Sequence, residues 1–187
     1  MSRSLARLFL GLSLATAAAV AAERPLTVDH ALSRIQADVK ATGHSFTARL
    51  GQFDAAIGVA GDGQVSSAKV SFKFAELVTG KEKRDKEMHA WQQTTSFPDV
   101  SFVLTSLEPA GNATAGWNAI GRLTLHGTTR EVRFPISILR DNARTVIDGA
   151  VPLDTREYGL PVIRMMAVLK VDPIVQVSFH LEGQAGR

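Results

Sequence analysis

Residues 121–138, GRLTLHGTTREVRFPISI, contain two short runs in which apolar and polar side chains alternate. Leu123 and Leu125 share one face of the first run. Phe134 and Ile136 share one face of the second. Side chains point alternately to opposite faces of a β-strand, and a glycine between the runs permits the positive φ of a tight turn. The stretch therefore predicts a β-hairpin whose apolar face packs against further strands, because an isolated hairpin is barely stable in water.

The same period of two recurs along most of the chain and predicts about eight strands. Gly-, Asn- and Asp-containing turn segments separate the runs, a spacing typical of an antiparallel barrel or sandwich. For the run at 145–151, the pattern does not assign an inner face. Residues 160–170 predict either a short helix or an irregular lid followed by a strand. Besides the hairpin, the runs are 25–29, 33–40, 46–50, 53–59, 69–74, 101–105, 145–151 and 175–181.

Residues 79–93 have a different pattern, because charged side chains are dense and Met88 and Trp91 follow at helical spacing. The segment predicts a single helix with Thr79 as its N-terminal cap. We expect Met88 and Trp91 to pack against the sheet. The charges in residues 81–87 are of mixed sign, so we interpret them as a solvated helix face.

The first 22 residues predict a secretory signal peptide. Arg3 and Arg7 precede a nearly unbroken apolar stretch, and Ala19-Val20-Ala21 supplies the small-x-small pattern that signal peptidase accepts. The stretch is too short for a comfortable membrane span, and no later apolar run is long enough to cross a bilayer. We therefore expect cleavage at the end of this segment and one domain over residues 23–187.

Composition excludes several classes of protein and site. The 21 Lys and Arg residues, less Arg3 and Arg7, nearly balance the 18 Asp and Glu residues, which argues against nucleic-acid binding. Without cysteine, disulfides and thiolate metal sites are excluded. The five histidines form no HxH, HxxxH or HExxH pattern, and no GxSxG, P-loop or Rossmann motif occurs. We predict no catalytic residues, no metal and no resident cofactor.

Large apolar residues occupy inward positions of nearly every predicted strand. They either pack together as a solid core or line an apolar cavity, and the pattern leaves both open. Small inward residues favour a cavity unless larger neighbours fill the space; they are Ala37, Ala48, Ala55, Ala119 and Gly121. Met165 and Met166 either form an adaptable mouth or fill a gap in the core. The predicted lining residues are Phe46, Phe53, Phe72, Phe74, Phe102, Trp117, Leu123, Leu125, Phe134, Ile136, Val177 and Phe179.

Five segments of the chain resemble the YceI-like family of secreted bacterial lipocalin-like proteins. In this order, behind a signal peptide, they cover nearly the whole mature chain. They are Arg84-Asp85-Lys86, SFPDVSF at 96–102, the hairpin GRLTLHGTTREVRFPI, TREYG at 155–159 and the closing VQVSFHLEG.

The resemblance implies an all-β fold, an eight-stranded antiparallel lipocalin-like barrel with one short helical insertion. It also implies a long hydrophobic channel that holds a polyisoprenoid lipid or an isoprenoid quinone, a periplasmic location and no catalysis. Each buried CH₂ contributes on the order of 0.8 kcal/mol, so such a chain needs no charged contact to bind. The alternative is a solid-core structural or stress-related interaction protein of the envelope. A homodimer is left open.

Overall fold

The computed structural model describes residues 23–111, 116–165 and 169–186. The predicted signal peptide and Met166 lie outside the described residues. The helix and strands are β1 (Arg24–Val28), β2 (Arg34–Ala41), β3 (His44–Leu50), β4 (Asp54–Val59), β5 (Val65–Lys73), β6 (Leu77–Val78), α1 (Glu82–Gln92), β7 (Asp99–Pro109), β8 (Trp117–Leu125), β9 (Thr128–Asp141), β10 (Arg144–Asp154), β11 (Arg164–Met165), β12 (Leu169–Lys170) and β13 (Ile174–Ala185).

Eight antiparallel strands form a closed barrel in the order β1-β4-β5-β7-β8-β9-β10-β13. The ring closes where β1 pairs with the end of β13, from Leu26 opposite Ala185 to Val28 opposite Gly183. The first half of β13 pairs instead with β2, to which β3 and β6 are added as an extension of the sheet. The predicted fold class, an all-β antiparallel barrel with one short helical insertion, is confirmed.

The hairpin of β8 and β9 forms one continuous ladder of this wall, from Trp117 opposite Ile136 to Leu125 opposite Thr128. His126 and Gly127 form the two-residue turn, with φ of 49° and 69°. Positive φ at both positions gives the turn the twist that matches the flanking strands. Leu125, Phe134 and Ile136 are buried, so their predicted face is the inner one.

In β10, Thr145 and Ile147 are buried, which defines the inner face that alternation left open. In the following segment, the described part of 160–170 is irregular and then enters β11 and β12, so the lid-and-strand alternative is the correct one. A 3₁₀-helix at Thr155–Tyr158 precedes it. The Asp154 carboxylate accepts the Arg156 N–H at 3.0 Å and caps this short helix.

The helix α1 lies across the end of the barrel, with Met88 and Trp91 packed against a buried cluster that includes Phe74. The predicted N-terminal cap is wrong. Thr79 lies two residues before the N-cap position, too far back to accept from the first turn, and its N–H and hydroxyl instead donate to Asp85 at 2.7 and 2.6 Å. No helix in the described ranges has the length and hydropathy needed to cross a bilayer.

Candidate functional site

The barrel encloses a cavity of about 250 Å³. Side chains from ten strands, from α1 and from the segment after β10 line it. Among the described residues around it there is no charged side chain, and Gln36 and Thr155 are the amide and hydroxyl members. A cavity with so few hydrogen-bonding groups favours an apolar ligand, because a polar one would lose its bonds to water without replacement.

Nine of the twelve predicted lining residues are brought together around this cavity. Alternation places them correctly because an inward side chain recurs at every second residue of a strand. Their contact with a ligand stays a prediction. They are Phe72, Phe74, Phe102, Leu123, Leu125, Phe134, Ile136, Val177 and Phe179.

Three of these phenylalanines form a row of rings across the cavity wall. The ring centroids of Phe102 and Phe134 are 5.5 Å apart, and those of Phe134 and Phe179 are 5.9 Å apart with an interplanar angle of 83°. Both separations lie in the range in which aromatic pairs attract one another. The three rings are tilted or edge-to-face to one another and form a continuous aromatic part of the cavity wall.

Of the small inward residues, Ala37, Ala48 and Ala119 line the cavity, as an open interior requires. Gly121 does not add space. A Cβ at this position would collide with the ring of Phe102, so the larger neighbour fills the room that the glycine leaves. Ala55 packs on the main hydrophobic core and is not among the lining residues.

Phe46, Phe53 and Trp117 are not among the residues around this cavity, and their contact with a ligand stays a prediction. The guanidinium carbon of Arg84 lies 4.3 Å from the centroid of the Phe46 ring. Phe53, just before β4, is buried against the ring of His30 at 4.7 Å. Trp117 is the first residue of β8 and is half-buried against the core.

Both ends of the barrel are covered. At one end, Met88 and Trp91 of α1 line the cavity, and the Trp91 indole N–H donates to the Pro161 carbonyl at 2.8 Å. Towards the other end, Leu26 and Val59 are only 3% and 2% exposed and pack in the main core cluster. The contacts of Met88 and Trp91 agree with their helical spacing, which predicts that both side chains face the sheet.

The predicted methionine mouth stays a prediction. Met165 is the second residue of β11, whose backbone pairs with β12 at Leu169. Met166 falls outside the described residues. The segment before them supplies a lining residue, Leu160, which is 3% exposed and packs with Tyr158.

Tyr158 is the one fully buried tyrosine, and its hydroxyl has no hydrogen-bond partner among the described residues. Burial, reinforced by the charge of Glu157, raises its pKa to about 12. Its carbonyl accepts from His126 Nδ1 at 3.0 Å, and the other ring nitrogen of His126 is also buried without a partner. These two groups are polar but lie behind the lining residues, so they leave the cavity surface apolar.

The charged residues lie on the outer face of the wall. Arg144 makes a bidentate salt bridge to Glu182: Nε donates to Oε1 at 2.5 Å and Nη2 donates to Oε2 at 2.6 Å. His180 Nδ1 lies 2.7 Å from the Asp148 carboxylate. Within the part of the chain that the structure describes, no three His, Asp or Glu side chains are grouped as metal ligands would be.

A closed antiparallel barrel around an apolar cavity defines the lipocalin-like class of β-barrels, whose size suits one enclosed ligand. The model of the YceI-like domain matches residues 26–183, and the chain belongs to the YceI-like family. The predicted family is thus confirmed.

Three solved structures share this fold. Burkholderia cenocepacia BcnA has a TM-score of 0.74 at 22% identity, with 84% of this chain and 99% of that chain covered. A polyisoprenoid binding domain from Saccharophagus degradans has a TM-score of 0.67 at 18% identity, covering 86% and 98%. The Campylobacter jejuni YCEI protein has a TM-score of 0.62 at 11% identity, covering 75% and 85%. At these identities the likeness concerns the fold alone.

UPF0312 proteins from two strains of Pseudomonas putida are similar in sequence. Each is 34% identical to this chain over 73 residues. The matched region spans 38% of this chain and 37% of either relative. This similarity therefore concerns little more than a third of those proteins.

Proposed function

We propose that this protein is a periplasmic binding or carrier protein that holds the chain of a polyisoprenoid lipid or isoprenoid quinone in its barrel, without catalysing a reaction. The observation that carries the proposal is the cavity of about 250 Å³ whose lining is apolar from one end to the other. The fold likeness to a polyisoprenoid binding domain supports the same ligand class.

Hydrophobic burial alone supplies the affinity in this proposal. Each buried CH₂ is worth on the order of 0.8 kcal/mol, so a few isoprene units give strong binding. The cavity presents no charged group that would have to be desolvated. The aromatic row of Phe102, Phe134 and Phe179 offers apolar contact area to the methyl-branched units of an isoprenoid chain.

The cavity disfavours the alternative of a solid-core structural or interaction protein. In a solid barrel, the inward side chains of facing strands interlock and leave few voids larger than a water molecule. Here small residues such as Ala37, Ala48 and Ala119 face the interior and leave it open.

The periplasmic part of the proposal depends on the first 22 residues, whose charge and apolar pattern is that of a secretory signal. We expect the protein in the periplasmic fraction of the producing cells, with a mature N-terminus at residue 22 or 23. N-terminal sequencing of the purified protein checks this. An intact Met1 on protein recovered from the periplasm would contradict cleavage.

The ligand is tested by mass spectrometry of organic extracts from protein purified without detergent. We expect an isoprenoid lipid at near-stoichiometric amount. Ala119→Phe adds a ring at a lining position and should reduce the extracted lipid several-fold. Arg122→Phe, on the same strand with its side chain exposed, should leave the amount unchanged. A reproducibly empty wild-type protein that also fails to take up added octaprenol would refute the proposal.

A further inference from the structure

The ladder between β9 and β10 stops halfway along the two strands. It runs from Arg144 opposite Asp141 to Gly149 opposite Ile136. Both strands continue beyond this last pair, β9 back to Thr128 and β10 on to Asp154, without pairing with each other. Each remains fully paired on its other side, with β8 and β13 respectively. We call the space between residues 128–135 and 150–154 the side gap.

Two prolines stand on the facing edges of the side gap. If the register continued, Pro135 would lie opposite Ala150, and Pro152 opposite Arg133. These two expected pairs lie two residues apart along each strand. Hydrogen-bonded and non-hydrogen-bonded pairs alternate along an antiparallel ladder, so both pairs are of the same type. Proline has no N–H to donate. The unpaired edges therefore lack two successive ladder donors, which explains why the strands separate here.

Each proline is accommodated in the ladder on its other side. Pro135 pairs with Asn118 of β8, and Pro152 pairs with Gln176 of β13. A proline fits within a ladder only where its nitrogen points away from the partner strand. Both nitrogens therefore point into the side gap.

The side gap lies between the outer surface and the cavity. On its inner side, Phe134 and Val132 of β9 and Val151 of β10 line the cavity. On its outer side, where the last pair ends, the wall carries a groove of about 450 Å³. Ile136 and Phe179 line both the groove and the cavity. At this point a single layer of side chains separates the two spaces.

At its far end, near Arg130, the side gap is closed by hydrogen bonds to the segment after β10. The side gap is therefore a slot of limited length, and we use both words for it. Arg130 Nε donates to the Glu157 carbonyl at 3.1 Å, and His126 donates to the Tyr158 carbonyl. The two ends of the barrel are covered by α1 and by the buried Leu26 and Val59. A ligand that enters at either end has to displace packed elements, whereas at the slot no ladder bond stands in its way.

We propose that the side gap is the entrance through which an isoprenoid chain passes sideways into the cavity. This inference rests on the proposed function. Sideways entry needs movement of lining side chains such as Phe179 and Val151 but breaks no ladder between β9 and β10. Opening an intact ladder instead breaks a row of hydrogen bonds. A long flexible chain also avoids being threaded through the barrel from its tip.

The test links the two edges of the slot. The natural chain has no cysteine, so Arg133→Cys/Ala150→Cys introduces one thiol on each edge. A short bismaleimide with an internal disulfide joins them. The measured quantity is the rate at which the protein takes up tritiated octaprenol from phosphatidylcholine vesicles. We expect the linked protein to load roughly tenfold more slowly or worse, and reduction of the linker to restore the rate.

The matched control is Leu139→Cys/Val146→Cys, linked in the same way across the part of the ladder that is intact. It should load at the wild-type rate. Linked Arg133→Cys/Ala150→Cys that loads as fast as its reduced form would overturn sideways entry while leaving the carrier function standing. Failure of the reduced and wild-type proteins to take up octaprenol, even when refolded with it, would overturn both.

A second variant tests the slot without a linker. Pro135→Val/Pro152→Val returns both missing donors to the facing edges. We expect slower octaprenol uptake together with slow hydrogen exchange at the two new amides. Slow exchange at both amides with unchanged uptake would also overturn the inference.

Discussion

The ring of Phe179 lies over the backbone of Gly149, its partner across the ladder of β10 and β13. A Cβ at Gly149 would collide with this ring and would also lie 2.9 Å from Ile136 Cγ2. Phe102 and Gly121 repeat the arrangement on another part of the wall. In each case the glycine lets a phenylalanine ring lie directly against the backbone of the wall, where a Cβ would otherwise stand.

Gly149→Ala should lower the free energy of unfolding by about 1–3 kcal/mol, because the added methyl forces Phe179 and Ile136 from their positions. Urea denaturation measures the change. Gly111→Ala is the control, since no described residue lies within 4 Å of its Cβ and its φ is not positive, and we expect a change within about 0.5 kcal/mol. Equal stability of the two variants would contradict the close packing at Gly149.

Trp91 should report ligand binding, while Trp117 should not. Trp91 lines the cavity, Trp117 does not, and the chain has no other tryptophan. We expect octaprenol to shift the fluorescence emission of Trp117→Phe to shorter wavelength, because the ligand replaces water near the remaining indole. Trp91→Phe should show no shift. A ligand-dependent shift from Trp117 would place the ligand elsewhere.

Tyr158 should make the protein sensitive to alkaline pH. Its pKa rises from the ordinary 10.0 to about 12 in the folded state. Between these values the folded protein retains a proton that the unfolded chain releases, so the free energy of unfolding falls as pH rises, by up to roughly 3 kcal/mol in all. Tyr158→Phe should lack this component of the fall. Absorbance of the single tyrosinate gives the folded-state pKa directly, and a midpoint near 10 would contradict the burial.

The same residue predicts a stability change at neutral pH. The buried hydroxyl of Tyr158 has no partner among the described residues, so Tyr158→Phe removes a polar group that gains nothing in the folded state. We expect Tyr158→Phe to be as stable as the wild type or more stable by about 1 kcal/mol in urea denaturation. A clear loss of stability would instead indicate that the hydroxyl is hydrogen-bonded.

The bond between Arg144 and Glu182 should stabilise the protein above the ordinary pKa of glutamate. The guanidinium of Arg144 lowers the pKa of Glu182 from its usual value of 4.5. The contribution is therefore present above that value and is lost as pH falls through the lowered pKa. We expect the melting temperature of Glu182→Gln to fall less steeply below about pH 5 than that of the wild type.

Glu108→Gln provides the matched control for Glu182→Gln. The Glu108 carboxylate bonds to Arg133 at 2.7 Å, but both side chains are about half exposed, and such surface pairs contribute little. The melting temperature of this variant should follow the wild-type pH dependence. Identical acid profiles for Glu182→Gln and the wild type would contradict the role of the Arg144 pair.

Alternation predicted the barrel wall well, because each strand buries every second side chain. Leu123, Leu125 and Phe134 therefore line the cavity as expected. The period does not say which inward side chains reach the cavity. Phe46 and Trp117 share the inward pattern, but Phe46 lies against the Arg84 guanidinium and Trp117 packs on the main core cluster.

The features that alternation missed depend on relations between strands. The inner face of β10 was obscured because Thr145 and Gly149 occupy inward positions where apolar side chains are expected. Pro135 and Pro152 each look like an ordinary strand residue when only one run is considered. Once the register of β9 and β10 is known, the two prolines fall in the same ladder and account for the side gap.

The pairing of β13 determines when this molecule can assemble. Its 12 residues form ladders with β10, β2 and β1, and the last of these joins Leu26 to Ala185. A chain growing from its N-terminus thus remains an unclosed, curved sheet with exposed edges until its final segment has been made. The barrel cannot enclose a ligand before synthesis is complete, so the proposed carrier function requires that the finished barrel, and not the nascent polypeptide, acquires the ligand.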